Sequence, residues 1–212
     1  MDRLEVIPVE GVPEVGPGDV LADLLVAASV TFEDGDVVVV TQKVVSKAEG
    51  RMVALDHDDR PARMAVVEAE SVRVLRRRGD LVITETTSGF VCANAGVDLS
   101  NVPDGYATLL PVDADRSARR IRDGLRARTG REVAVIVSDT FGRAWRRGLT
   151  DVAIGCAGIG AIVDLRGATD ANGRELHVTE VAVVDELAGA AELVMGKASG
   201  ICAAVIRGVD AS

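Results

Sequence analysis

The strongest constraint on this chain is the run Val133-Ala134-Val135-Ile136-Val137, which stops abruptly at Ser138-Asp139-Thr140. A short, unbroken, mostly β-branched apolar run reads as a buried strand. A carboxylate and a hydroxyl at its end stand at the rim of the core, half in water. Hard oxygen donors placed there suit Mg2+ or Mn2+ and a metal-bound phosphate. Gly142 allows a tight backbone, and Arg143, Arg146 and Arg147 follow around Trp145, the only tryptophan. Taken alone, the stretch fits equally well a strand closed by an Asp turn and followed by a solvated basic segment.

A chain of 212 residues makes one large domain or two small lobes and can bury a sizeable core. Hydrophobic residues make up 48% but aromatics only 2%, so the core is built of Val, Ala, Leu and Ile. Base stacking on nucleic acid is poorly supplied. The formal charge of −9 opposes non-specific attraction to nucleic acid or an anionic membrane. Anionic substrates would have to be captured by local clusters of Lys, Arg and metal. Cys92, Cys156 and Cys202 are far apart, odd in number and form no Cys-x-x-Cys. They argue against a disulfide framework or zinc site and suit a reducing cytoplasm. The N-terminus lacks a signal-peptide pattern, and no apolar stretch is long enough to span a membrane.

In chain order, Leu4 to Val9 reads as a strand and Val12 to Gly18 as a Pro/Gly loop. Asp19 is the expected cap of a helix from Val20 to about Ala28. Val37 to Val40 is a second buried strand, ending at Thr41-Gln42-Lys43 with Lys47 beyond. Lysines at a strand end bind phosphates as point charges, and they also simply solubilise it. Pro61 opens a helix expected to reach Arg78, although Ser71 interrupts its apolar stripe. Leu81 to Thr84 and Phe90 to Ala93 read as paired strands. Asn94 to Asn101 is crowded with Asn, Gly and Asp. Its Asp98 and Asn101 lie one turn apart and could aim at a common point, or the segment is only an Asx-rich turn. Asp115 is the expected cap of a helix from Arg116 to about Thr129. Val152 to Ile162, rich in Gly and Ala, must pack closely against something. Asn172-Gly173 is a tight turn, Glu175 to Val184 an extended segment, Asp185 to about Met195 a helix, and Cys202 to Ile206 a last strand.

Absent motifs narrow the chemistry. Gly196-Lys197 is followed by Ala198 and preceded at the required spacing by Ala191, so no standard phosphate loop is present. No Gly-x-Gly-x-x-Gly opens a helix after a strand. Only His57 and His177 occur, both in polar surroundings, which disfavours a His-based hydrolase or His-metal centre.

Three long segments carry a resemblance: Val39 to Arg51 (VVTQKVVSKAEGR), Asn94 to Val102 (NAGVDLSNV) and Ser138 to Gly148 (SDTFGRAWRRG). Together with Pro8-Val9-Glu10-Gly11 and Thr179 to Val183, they resemble the coenzyme F420-0:L-glutamate ligase (CofE) family, including the N-terminal ligase domain of its actinobacterial relatives. The likeness runs over nearly the whole chain in order.

The resemblance implies a mixed α/β (α+β) fold, a single ligase domain of two intimately packed lobes over residues 1–212, and a homodimer with sites near the subunit interface. No fused nitroreductase-like domain is expected in this chain. The implied reaction is amide formation. GTP phosphorylates the terminal carboxylate of F420-0 or its dehydro precursor, L-glutamate displaces phosphate, and GDP is released. By resemblance, Asp98, Asp139 and Thr140 match the divalent-metal positions, for Mg2+ or Mn2+ with K+ as a further candidate. Gln42, Lys43, Lys47 and Asn101 match nucleotide contacts. So do the loop Val12, Pro13, Glu14 and Val15 and the segment Met195, Gly196, Lys197, Ala198, Ser199, Gly200, Ile201 and Cys202. Arg143, Arg146 and Arg147 are placed by charge alone, as holders of substrate carboxylate or phosphate. Lys197 is a departure, since some relatives carry an oxygen ligand for a second metal there. Gln42 stands where smaller hydroxyl residues are common. Two rival readings stand beside the ligase: a nucleotide-binding module without catalysis, which Lys197 would favour, and the same chemistry on another carboxylate acceptor.

Overall fold

The computed structural model describes residues 3–56 and 58–209, and its central sheet grows from the two apolar runs. Strand β1 (Glu5–Pro8) is followed by helix α1 (Leu21–Val26), strand β2 (Val37–Thr41) and helix α2 (Gln42–Ala48). Next come β3 (Met52–Ala54), α3 (Arg60–Ala69), β4 (Ser71–Arg78), β5 (Leu81–Thr86) and β6 (Val91–Ala93). A short 3-10 turn (Asn94–Gly96) leads to β7 (Tyr106–Thr108) and α4 (Ala114–Thr129). The chain ends with β8 (Ala134–Gly142), β9 (Leu149–Ala157), β10 (Val163–Asp164), β11 (Glu180–Val181), α5 (Val183–Met195) and β12 (Ala203–Arg207). The five-stranded sheet has the order β1-β12-β2-β8-β9. Among the described residues only β2 and β8 pair in parallel, from Val37 with Ala134 to Thr41 with Ser138.

Alternation along these strands builds two cores, because successive side chains leave opposite faces. Val38, Val40, Val135, Val137 and Val205 meet Leu21 and Leu25 of α1 and Ala118, Ile121 and Leu125 of α4. Val37, Val39, Ala134, Ile136, Ala204 and Ile206 meet Val184, Leu187, Ala191 and Met195 of α5. A third, small core packs Val67 of α3 on Val82 and Ala95, next to the three-stranded sheet β4-β5-β6. The fold is therefore mixed α/β, with several sheets flanked by helices. Among the described residues no helix is long and apolar enough to cross a membrane.

The local differences from the sequence reading have physical causes. The helix opened by Pro61 and capped by Asp59 ends at Ala69, not near Arg78. The Ser71 hydroxyl donates to the Val67 carbonyl, and Ser71 to Arg78 become a strand paired with β5. The three arginines 76–78 thus stand in a strand and not at a helix end. Asp19 does not cap α1; its carboxylate closes the preceding loop on the Gly16 amide at 2.7 Å. Asp113, not Asp115, caps α4, accepting from the Arg116 amide at 2.8 Å. Asp115 instead accepts from the Cys156 amide and ties α4 to β9. Asp185 serves the same purpose for α5, accepting from the Ala153 amide at 2.9 Å. The Gly/Ala-rich stretch is largely β9. A Cβ on Gly155 would lie 2.3 Å from the Ala114 carbonyl carbon, so glycine lets α4 approach the sheet. Phe90 precedes its strand, and of the expected extended segment Glu180–Val181 forms a strand and Glu175 an isolated bridge to Thr169. The turn at Asn172-Gly173 forms as expected, with Gly173 at φ +79°. His57 lies outside the described residues, and His177 is exposed.

The fully buried Asp36, just before β2, is held by both Nε and Nη2 of Arg207 at 2.9 Å each, joining the start of β2 to the end of β12. Removing the arginine strands a carboxylate without its counter-charge, which typically costs about 3 kcal/mol. Arg207→Ala is expected to lower Tm by roughly 6–12 °C, and Arg207→Ala/Asp36→Ala to recover part of that loss in thermal denaturation. Equal Tm for native and single variant would show that the pair is not structural.

Candidate active-site cleft

Where β2 ends and its pairing with β8 stops, a cleft of about 780 Å³ opens. Thr41, Gln42, Lys43 and Lys47 enter it from the β2–α2 junction, and Ser138, Asp139 and Thr140 from the end of β8. Glu14, Asp98, Ser100, Asn101, Asp151, Glu192 and the segment around Lys197 complete the lining. The cleft lies at the carboxyl ends of the two parallel strands, the position where open α/β sheets bind ligands.

Alternation on β8 splits the chemistry between the two faces of the sheet. Asp139 follows Val137 onto the α1–α4 face, where Asp98 and Lys43 stand. Asp98 is fixed by a bridge to Thr108 of β7. Its carboxylate holds Lys43 Nζ at 2.7 Å and accepts the Ser100 amide at 2.7 Å. Lys43 also donates to the Ser100 carbonyl and hydroxyl, at 2.6 and 2.8 Å. Burial works to raise the Asp98 carboxyl, but the bonds from Lys43 and Ser100 outweigh it and hold the group below the usual carboxylate range. Among the described residues Asp139 has no such cation. Burial, and then the charges of Asp98 and Asp151, push it up to about 7, against the pull of the Thr140 amide and Lys43.

Ser138 and Thr140 follow Ile136 onto the α5 face. Both hydroxyls turn to Asp151, which is paired with Thr140 across β9. Asp151 is buried, at 3% exposure, and accepts from Lys197 Nζ at 2.8 Å. Lys197 also meets Glu192 at 2.8 Å and Thr140 Oγ1. Burial opposes the Lys197 charge, yet bonding to Asp151 and Glu192 leaves its pKa raised.

The structure brings together Glu14, Gln42, Lys43, Lys47, Asp98, Asn101, Asp139, Thr140, Gly196, Lys197, Ala198, Gly200, Ile201 and Cys202. Lys47 is almost buried and reaches Glu14 at 2.5 Å. Gln42 is 2% exposed, and its amide oxygen is within reach of the Ser46 hydroxyl. The side chains of Val12, Val15 and Met195 pack into the cores, and Pro13 is exposed. The Ser199 hydroxyl closes on the Met195 carbonyl. Arg143, Arg146 and Arg147 lie past the end of β8, outside the lining. Sequence reasoning missed Asp151, Glu192 and Ser100. The signal for Asp151 was a carboxylate next to Thr150 at the start of the apolar Val152 run, mirroring Ser138-Asp139-Thr140. It becomes visible only once that run is read as a strand paired with β8.

Among the described residues no set of three His, Cys, Asp or Glu side chains is already gathered as a chelate. The donors nevertheless fit a hard divalent cation. Asp98 and Asp139 offer carboxylate oxygens to one cleft, and Asp139 is crowded by negative charge with no protein cation bonded to it.

The raised Asp139 pKa has a stability signature. The folded protein keeps this proton up to about pH 7, whereas the unfolded chain releases it near 3.8, so metal-free stability falls as pH rises through that window. At about 1.36 kcal/mol per unit, chelator-treated protein is expected to lose about 2 kcal/mol between roughly pH 5 and pH 7. Asp139→Asn should flatten this slope in denaturant titrations. An unchanged slope in the variant would assign it to other groups.

A family model described as F420-0:Gamma-glutamyl ligase matches residues 11–208. Proteins named coenzyme F420:L-glutamate ligase from Methanothermobacter thermautotrophicus and Methanopyrus kandleri are each 46% identical to this chain. The alignments cover 97% and 98% of it and 89% and 87% of the relatives. The protein of that name from Archaeoglobus fulgidus is 42% identical over 98% of this chain and 89% of its own length. With the match running through β2, the Asp98 segment, β8 and the Lys197 segment alike, the chain belongs to the F420-0:γ-glutamyl ligase family.

Proposed function

We propose that the protein is a GTP-dependent ligase that joins L-glutamate to coenzyme F420-0, or its dehydro precursor, in γ-glutamyl linkage. Family membership supports glutamate ligation on F420. The observation that carries the finer reading is the charge of the cleft: Lys43, Lys47 and Lys197 face Glu14, Asp98, Asp139, Asp151 and Glu192. Such a cleft repels a triphosphate until divalent cations neutralise its acids, which is the arrangement expected of metal-assisted phosphoryl transfer.

In this reading Lys43 and Lys47 meet the nucleotide phosphates as point charges, exchanging Asp98 and Glu14 for phosphate oxygens. Asp98 and Asp139 would hold Mg2+ or Mn2+, which would supply neutralisation of the transferring phosphoryl charge. The acceptor carboxylate takes the γ-phosphoryl group and GDP leaves. The glutamate amine then attacks the acyl carbon, phosphate leaves with the bonding electrons, and the amine loses a proton as the amide forms. Asp151 and Glu192 keep Lys197 charged at the other wall, where it can face phosphate oxygens.

The test is a mass-spectrometric end-point assay with F420-0, L-glutamate, GTP and Mn2+. Native protein is expected to add glutamate masses with stoichiometric GDP release. Asp139→Asn, folded, should lose at least about 100-fold in kcat, and Lys47→Ala should raise KM for GTP by about 10-fold. GTP binding without GDP release in the presence of both co-substrates would favour the non-catalytic module. Product only with another acid in an acceptor panel would keep the chemistry and change the acceptor.

A further inference from the structure

The paired strands β8 and β9 run on past the point where β2 turns into α2, as far as Gly142 opposite Leu149. The loop at their tip, Arg143 to Gly148, is well built. The Arg143 guanidinium donates to the Arg147 and Gly148 carbonyls, closing the turn on itself. Gly148 makes this possible: its φ is +101°, and a Cβ there would come 2.8 Å from Arg143 Nη2. The closure leaves Trp145 at 78% exposure, and below it Leu149, which lines the cleft, at 68%.

The tip is locally basic: in a chain of net charge −9 it carries three arginines and no acid within residues 143–148. None of Arg143, Arg146 and Arg147 has a carboxylate partner among the described residues. A short loop that carries an exposed indole together with arginines lacking carboxylate partners is complementary to a planar aromatic ring with an anionic tail.

We infer that this tip binds the deazaflavin acceptor, Trp145 stacking on its ring and Arg146 and Arg147 meeting its anionic tail. The inference rests on the ligase reading for the identity of that acceptor. At about 3.4 Å per residue, the foot of the tip stands roughly 10 Å along β8 from Asp139. That separation lets a ring held at the tip send its far carboxylate to the acidic centre. Guanine is also planar, but Lys43 and Lys47 stand on the β2–α2 side of Asp139 and the arginines on the β8–β9 side. Two anionic reactants thus approach one centre from opposite walls.

The experiment compares native protein, Trp145→Ala, Trp145→Phe and Arg146→Ala/Arg147→Ala in equilibrium dialysis against F420-0 and in steady-state turnover. Light scattering of each variant is recorded alongside. Trp145→Ala is expected to weaken F420-0 binding and raise its KM by about 10-fold, with KM for GTP unchanged and Phe restoring most of the loss. The double arginine variant should act in the same direction and gain salt sensitivity. Normal product formation with unchanged KM for F420-0 in Trp145→Ala would overturn the inference while leaving the ligase reading intact. So would a rise in KM for GTP alone, or a change of oligomeric mass with both KM values unchanged, which would make the tip a subunit interface. Native protein that neither binds nor glutamylates F420-0 would overturn both.

Discussion

The parallel pairing of Val37–Thr41 with Ala134–Ser138 is the constraint on which the rest of the structure depends. Their shared stretch is buried on both faces, so polar groups appear only where it ends, at Thr41 and Ser138. There β2 turns into α2, while β8 runs on beside β9 to Gly142. Gln42 and Lys43 on one side and Ser138 and Asp139 on the other are therefore delivered to one place. The helices that cover the two faces then bring in the remaining walls. α5 ends at Met195, buried in the core, so that Lys197 emerges beside Asp151. The site is a by-product of where an apolar sheet has to stop.

Charge, more than shape, separates this cleft from a simple phosphate pocket. An anion site needs only cations and amides. Here Asp98 and Asp151 already hold the lysines, and Asp139 is left with burial and like charge around it. A buried carboxylate with a pKa near neutrality and no bonded cation destabilises the empty protein at working pH. A divalent ion held there would remove that penalty and add positive charge to the cleft, which is the role proposed for these acids.

What was legible in the sequence was set by local physics. The β-branched runs reported themselves as buried strands, and the polar residues at their ends line one cleft. Pro61 marked the start of α3 and Asn172-Gly173 marked a turn. Capping acids were harder, because an Asp near a helix start can serve any free amide. Asp19, before α1, and Asp115 and Asp185, in the first turns of α4 and α5, each bond an amide outside the helix. β4 was masked because its arginines and valines satisfy helical spacing as well as strand alternation, and pairing with β5 decides between them. Asp151 was invisible for a related reason: its neighbours Ser138, Thr140 and Lys197 come from β8 and the segment after α5, and only the antiparallel register assembles them.

The most direct measurement of the central claim is the affinity of GTP with and without divalent metal, by titration calorimetry at one ionic strength. If the acids of the cleft must be neutralised before phosphate can enter, removing Mg2+ and Mn2+ with chelator should weaken GTP by about 100-fold or more. Asp98→Asn/Asp139→Asn should then bind metal-free GTP more tightly than native protein does. Equal GTP affinity with and without metal in the native protein would contradict the account and leave the carboxylates without the role assigned to them.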